Sequence, residues 1–141
     1  MSTRVTDLPA LRDVMLPLGK FPAISPKTLF KEALDAMAEA KLGIVCIVDK
    51  DGKLLGVFTD GDIRRKLLKI QKPFSAFFAD DVSNHMTRDP LTVRDTATLV
   101  DAVAAMETKS VWDLPVTDAD GTLVGLVHLH PVVKALMGAS A

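Results

Sequence analysis

Residues 56–68 read GVFTDGDIRRKLL, a short apolar strand that runs directly into the start of a helix. A helix start leaves backbone N–H groups without partners inside the helix, and such ends attract anions, phosphates above all. Thr59 and Asp62 are spaced i, i+3, so both side chains can lie at the junction. Arg64 and Arg65 follow in the first helical turn, where positive charge opposes the helix dipole. Two hypotheses stay open from this stretch: either Asp62 caps the helix beside solvated arginines, or the junction binds an anionic ligand.

The composition indicates a soluble protein of single-domain size. The chain has 141 residues, of which 48% are hydrophobic, enough to form a sizeable core. Lys and Arg total 17 and Asp and Glu total 18, a formal net charge of -1 that argues against a general nucleic-acid binder. The longest apolar run, residues 42–48, is too short to span a bilayer, and the N-terminus lacks a signal-peptide core. The single cysteine, Cys46, is expected to be a small buried residue and suits a reducing cytosol. We therefore expect a cytoplasmic protein with no membrane partner.

An internal repeat is the strongest feature of the sequence. Residues 21–68 align without a gap onto residues 90–137 at an offset of 69, and the Asp-x-Asp-Gly runs of the two copies coincide. Each copy predicts an α+β unit in the order β-α-β-β-α, with the Asp-x-Asp-Gly run as a hairpin turn. Each copy is about half a usual domain, so the two are expected to pack together about an approximate two-fold axis. The cleft between them is a favoured place for a small ligand.

The repeat divides the chain into four segments. We predict an N-terminal lead-in, a first repeat, a connector and a second repeat, at residues 1–13, 14–70, 71–84 and 85–138. The first helix of repeat one is predicted to end at Gly43. Three phenylalanines in the connector are expected to pack it onto a domain.

These features carry a family resemblance. Each repeat, with its element order and Asp-x-Asp-Gly hairpin, resembles a cystathionine-β-synthase (CBS) domain, and the pair, residues 14–136, resembles a Bateman module. Such pairs commonly bind adenosyl or other nucleotides in the clefts between repeats. The ligand motif of the family is an apolar residue, Thr or Ser, two variable residues and Asp, which stands here as residues 58–62. The resemblance implies that Asp62 holds ribose hydroxyls, that Thr59 lies near ribose or phosphate, and that helix-end N–H groups take the phosphate.

The resemblance also implies the other residues of the pocket. The backbone around Gly43, Ile44 and Val45 would line the base pocket, as would Ser25 just past the first strand. Within the motif helix, Asp60 and Arg64 are further candidate binding groups.

The second repeat departs from the motif. His128 stands at the position of Thr59, and Pro131 at that of Asp62, so we expect one good site or an altered second one. His128 and His130 are predicted to point to one face of a strand, partly buried or facing a ligand. A metal site would need more ligands than these histidines and His85 provide, and the Asp-x-Asp-Gly run lacks the closing Glu of a calcium loop. Trp112 either packs in the core or stacks on a base.

A closer resemblance concerns residues 56–65, residues 125–130 and the loop at 15–22. They are similar to the C-terminal CBS pair of arabinose-5-phosphate isomerases, which begin 3-deoxy-manno-octulosonate (Kdo) synthesis, although Pro131 replaces an Asp usual there. Sugar-nucleotide transferases carry CBS pairs with a similar Thr-Asp-Gly-Asp stretch. The sequence carries no sugar-isomerase domain, so we expect an excised regulatory half or a free-standing relative.

The resemblance implies a non-catalytic module that requires no cofactor and senses a nucleotide. The ligand would be of the AMP or ATP type, or a cytidine sugar nucleotide such as CMP-Kdo. The expected partners are a second copy, in a homodimer, and a sugar-isomerase domain in cis or trans. The alternative hypothesis is a structural dimerisation module whose cleft is empty.

Overall fold

The computed structural model describes residues 8–69 and 73–140. The α-helices within these residues are α1 (Leu11–Val14), α2 (Phe30–Ala40), α3 (Asp60–Lys69), α4 (Phe74–Phe78), α5 (Leu99–Lys109) and α6 (Leu129–Ser140). The strands are β1 (Leu16–Pro17), β2 (Ala23–Ile24), β3 (Ile44–Val48), β4 (Leu54–Thr59), β5 (Thr87–Arg88), β6 (Val93–Arg94), β7 (Asp113–Thr117) and β8 (Leu123–His128). A short 3-10 helix, Val82–Asn84, precedes β5. No helix in this part of the chain is long and apolar enough to cross a membrane.

The contacts divide the chain into two units, one of residues 19–90 and one that combines residues 8–18 with residues 91–140. The first unit contains a four-stranded sheet in the order β2-β3-β4-β5, and the second a sheet in the order β1-β8-β7-β6. In each sheet a parallel pair, β2 with β3 or β6 with β7, is followed by an antiparallel hairpin. The predicted α+β fold with two similar repeats is therefore confirmed, and the two-fold packing of the repeats stays a prediction.

Each unit takes one short strand from the start of the other sequence repeat. Strand β1 pairs with β8, with Leu16 opposite Leu126, and β5 pairs with β4. The boundaries drawn from the sequence place residues 14–17 in the first repeat, whereas in three dimensions these residues belong to the sheet of the second. The exchange completes the free edge of each hairpin with main-chain hydrogen bonds.

Two equivalent glycines make room for the exchanged strands. A Cβ added at Gly56 would lie 2.6 Å from the carbonyl oxygen of Thr87, and one added at Gly125 would lie 2.5 Å from the sulfur of Met15. Both positions fall at the same point of the repeat. The close approach of the short strand therefore requires glycine there.

The connector packs onto the unit of residues 19–90. The ring of Phe77 is 3% exposed and lies 6.1 Å from the ring of Phe30, centroid to centroid. The N–H of Phe30 donates to the carbonyl of Asp80 at 2.8 Å, and that of Val82 donates to the carbonyl of Thr28 at the same distance. The predicted packing of the connector is confirmed for Phe77, while the side chain of Phe74 lies outside the described ones.

The local predictions held at the hairpins and failed at one helix end. The Oδ1 atom of Asp49 accepts the N–H groups of Asp51 and Lys53, and Asp118 repeats this pattern in the second unit. The two runs are therefore hairpin turns, as predicted. Helix α2 ends at Ala40 rather than at Gly43, because Lys41 adopts the left-handed conformation with φ of 56°.

Candidate functional site

The junction of β4 and α3 is organised by a capping box. The hydroxyl of Thr59, the last residue of β4, accepts the N–H of Asp62 at 3.2 Å. In return, Oδ2 of Asp62 accepts the N–H of Thr59 at 2.9 Å and its hydroxyl at 3.0 Å. This reciprocal pair satisfies two backbone donors at the helix start. Asp62 thus takes part in capping, but from within the first turn, while Thr59 occupies the cap position; binding of an anionic ligand at the junction stays a prediction.

The other carboxylate oxygen of Asp62 faces two further donors. Oδ1 accepts Nη2 of Arg65 at 2.6 Å and the hydroxyl of Thr87 at 3.3 Å. Asp62 is 9% exposed, whereas the side chain of Arg65 is 60% exposed. Arg65 is thus solvated, as one hypothesis predicted, but it also pairs with a buried carboxylate, which the sequence did not indicate. All four acceptor positions of that carboxylate are occupied.

A cavity of about 360 Å³ lies on the side of the junction that Asp60 faces. Apolar residues of α2 and α3 form half of its lining, and the residues between α2 and β3, including Lys41 and Gly43, form most of the rest. The N–H of Asp60 donates to the carbonyl of Gly43 at 3.0 Å, and a Cβ on Gly43 would lie 2.7 Å from Oδ2 of Asp60. Two of the predicted site residues, Gly43 and Asp60, therefore meet in one cavity.

The other residues predicted in the first repeat lie in different settings. The side chains of Ile44 and Val45 are buried in β3, opposite Thr59 and Phe58 of β4. Ser25 is exposed, with its hydroxyl 3.3 Å from that of Thr28. Arg64 is also exposed.

The second repeat carries a histidine–aspartate pair at the equivalent junction. Nδ1 of His128 lies 2.7 Å from Oδ1 of Asp113, directly across the β7–β8 hairpin. Sequence reasoning missed Asp113, because its counterpart in the first repeat is the apolar Ile44. His130 lies in α6 and is exposed, so the prediction that both histidines share one strand face is wrong: the strand ends at His128.

Trp112 lies at the position equivalent to Gly43. Its carbonyl accepts the N–H of Leu129 at 2.9 Å, just as the carbonyl of Gly43 accepts that of Asp60. The indole is 68% exposed, which excludes the core alternative. Its stacking on a base stays a prediction.

A second cavity, of about 280 Å³, lies between α3 and the segment that leads into β5. Lys66 and Lys69 line it together with Asp62 and Arg65, and His85 and Thr87 form part of its wall. Sequence reasoning did not single out the two lysines. The two lysines follow Asp62 by four and seven residues. This spacing places all three residues on one helix face, and it could have indicated from the sequence that they lie together.

His85 is nearly buried in this wall. Its Nε2 lies 2.9 Å from Oδ2 of Asp80, and its ring lies 5.2 Å and 5.3 Å from the rings of Phe30 and Phe77. Its Nδ1 is buried with no hydrogen-bond partner among the described residues. Within residues 8–69 and 73–140 no group of three or more His, Cys, Asp or Glu side chains is arranged to hold a metal ion.

Comparisons with known proteins agree on one family. A family model described as "CBS domain" matches residues 11–69 and 79–138. The crystal structure of CBSX2 in complex with AMP has a TM-score of 0.81 and 31% identity, and the match covers 94% of this chain and 98% of that one; CBSX2 is from Arabidopsis thaliana. The CBS domain pair of protein MJ0100, in complex with 5'-methylthioadenosine and S-adenosyl-L-methionine, has the same fold, with a TM-score of 0.77, 21% identity and coverage of 93% and 98%.

Among curated proteins, arabinose 5-phosphate isomerase KdsD of Yersinia pestis is 33% identical over 125 residues. That match covers 89% of this chain and 37% of the enzyme. The chain spans less than half the length of the curated relatives it matches first.

Proposed function

Since this chain belongs to the CBS domain family, as a tandem pair of such domains, we propose that it is a regulatory module that binds a nucleotide at the β4–α3 junction. The observation that carries the proposal is the arrangement of Thr59 and Asp62, which holds a buried carboxylate at a helix start. A carboxylate accepts hydrogen bonds from the vicinal diol of a ribose, and helix-end N–H groups favour a phosphate. The complex of the 31% identical CBSX2 with AMP supports the same ligand class.

Ribose binding at Asp62 requires an exchange of hydrogen bonds, because all four acceptor positions of the carboxylate are used. Oδ2 is tied into the capping box, whereas Oδ1 is held by Arg65 and Thr87, whose side chains are exposed. A ribose diol would take over Oδ1 and release the Arg65 guanidinium toward the phosphate. Binding would then cost the junction little, since an ion pair with an exposed arginine contributes about 0–1 kcal/mol.

The ligand we propose is an adenine nucleotide, AMP or ATP, or a cytidine sugar nucleotide such as CMP-Kdo. We place this module in the cytoplasm, and similarity to KdsD supports a role as the allosteric part of an arabinose-5-phosphate isomerase-like protein, with a sugar-isomerase domain in cis or trans. Ligand binding would favour one arrangement of the two repeats, and the catalytic domain would respond to that shift. This chain alone would be non-catalytic, and conversion of arabinose 5-phosphate by the purified chain would disprove this part.

Thermal shift measurements test nucleotide binding. A ligand at a hundredfold excess over its Kd stabilises the folded state by about 2.7 kcal/mol, so the cognate nucleotide should raise Tm clearly. The substitution Asp62→Ala should weaken affinity by about 1–3 kcal/mol, which lowers the stabilisation by the same ligand concentration to about 0.3–1.7 kcal/mol and reduces the rise in Tm accordingly.

The matched control is Asp101→Ala. This substitution breaks a second capping box, formed by Thr98 and Asp101 at the start of α5, and leaves the β4–α3 junction intact. Its nucleotide-dependent rise in Tm should equal that of the wild type. If the nucleotide raised the Tm of Asp62→Ala as much as that of the wild type, the carboxylate of Asp62 would only cap its helix.

A specific observation also favours dimerisation, with or without a ligand. Leu68 of α3 and Met137 of α6 occupy equivalent positions in the repeat, and they are 83% and 69% exposed. Large apolar side chains exposed at matching positions suit a self-association surface. Light scattering should show a dimer that Leu68→Lys weakens, while Leu18→Lys, at an exposed loop position, leaves it intact. A monomeric wild type would refute this candidate.

A further inference from the structure

The cavity of about 280 Å³ beside α3 is strongly basic for its size. Arg65, Lys66 and Lys69 contribute three positive charges to its wall, and Asp62 contributes one negative charge, so the lining carries a net formal charge of +2 with His85 neutral. The four side chains lie on one face of α3, since residues three, four and seven apart are neighbours on a helix surface.

Helix stability accounts for only part of this arrangement. The helix dipole favours positive charge in the last turn, which suits Lys66 and Lys69. Like charges three or four residues apart, however, destabilise a helix slightly, and α3 places three cations on one face. Asp62 is the single carboxylate lining the cavity, and its acceptor positions are already occupied. The helix dipole therefore accounts for Lys66 and Lys69 near the helix end. It does not account for the fact that both lysines line the same cavity as Arg65.

The opposite wall adds hydrogen-bonding groups. The hydroxyl of Thr87 lines the cavity and is exposed. His85 lines it too, with its Nε2 2.9 Å from Oδ2 of Asp80.

We propose that this cavity binds a group of two or more linked phosphates. Its volume is just below the range of about 300–1,000 Å³ usual for small-molecule sites, which suits a pyrophosphate unit better than a whole nucleotide. Lysine ammonium groups bind phosphate oxygens as point charges. The phosphates belong either to a nucleotide whose ribose is held at Asp62, in which case this inference rests on the proposed function, or to free pyrophosphate.

Isothermal titration calorimetry at low ionic strength tests the proposal with sodium pyrophosphate, AMP, ADP and ATP. Pyrophosphate should bind the wild type, and ATP should bind more tightly than AMP. The double variant K66Q/K69Q should bind pyrophosphate about tenfold or more weakly, the scale of losing hydrogen bonds to charged groups, and should lose the preference for ATP.

The matched control is K50Q/K53Q, which removes the same charge from the β3–β4 hairpin, at the end of the strands away from α3. Circular dichroism checks that both double variants are folded. Equal losses of affinity in the two variants would show a general charge effect and overturn the proposal. If AMP, ADP and ATP bound with equal affinity and pyrophosphate did not bind, the phosphate-site proposal would be overturned while the proposed function stayed intact. Pyrophosphate binding that depends on Lys66 and Lys69, without any nucleotide binding, would support it and overturn the proposed function.

Discussion

The substitution Asp62→Ala measures what the buried carboxylate contributes to folding. The carboxylate accepts two hydrogen bonds from Thr59, at 2.9 Å and 3.0 Å, one from Arg65 at 2.6 Å and one from Thr87 at 3.3 Å. The chain contains a built-in reference in the exposed capping box of Asp101, whose two reciprocal contacts measure 3.1 Å and 3.0 Å. Comparing the two alanine variants separates the capping contribution from the additional contacts.

The difference between the two variants can be estimated from these contacts. Loss of a capping side chain costs about 1 kcal/mol, which is the full loss expected for Asp101→Ala. Asp62→Ala also removes hydrogen bonds from two hydroxyl groups, each contributing about 0.5–1.5 kcal/mol. The ion pair with Arg65 adds about 0–1 kcal/mol, because the guanidinium is solvated. We expect Asp62→Ala to lower the free energy of unfolding by about 2–3 kcal/mol in total, since the contacts are not fully additive.

Urea denaturation of the ligand-free protein, followed by circular dichroism, gives both values. Alanine has a higher helix propensity than aspartate, but both substitutions gain this equally, so it cancels in the difference. The midpoint urea concentration should fall further for Asp62→Ala, with an unchanged m-value. Equal midpoints for the two variants would show that the contacts of Arg65 and Thr87 contribute nothing, and would refute the reasoning.

Three further substitutions test the fold, each by the same denaturation assay. Gly56→Ala should cost about 1–3 kcal/mol, because the added Cβ would lie 2.6 Å from the carbonyl oxygen of Thr87; full stability would mean that β5 adjusts freely. Phe77→Ala should cost about 3–5 kcal/mol, since its ring is buried against Phe30, whereas a cost within error would contradict the close packing of the connector. Ser110→Gly should stabilise the protein by up to about 1 kcal/mol, because Ser110 ends α5 with φ of 53° and glycine adopts that conformation without strain; a loss of stability would argue against this conformation.

The repeat made much of the fold predictable. Helices and long strands follow from hydrophobic periodicity, and the Asp-x-Asp-Gly turns follow from local hydrogen bonding by Asp49 and Asp118. The exchange of β1 and β5 was not predictable, because strands of two residues show no period and their pairing joins distant parts of the chain. The end of α2 was missed because Lys41, rather than a glycine, adopts the left-handed conformation.

The candidate site was predictable only in part. The spacing of Thr59 and Asp62 placed both residues at the junction, where the structure has them. Asp113 was hidden because its repeat partner is apolar, so the alignment suggested a core position. Arg65 was set aside as solvated, because the sequence does not show that its guanidinium folds back onto Asp62. Contacts between side chains of different helices and strands depend on tertiary packing, which local sequence patterns do not show.

Native mass spectrometry of the purified chain with AMP, ATP, CMP and CMP-Kdo tests the central claim most directly. The account predicts a complex of the folded wild-type chain with at least one of these nucleotides, and a clearly smaller bound fraction for Asp62→Ala under the same conditions. A folded wild-type chain that gains no mass from any of them, or an Asp62→Ala variant that binds as well as the wild type, would contradict it.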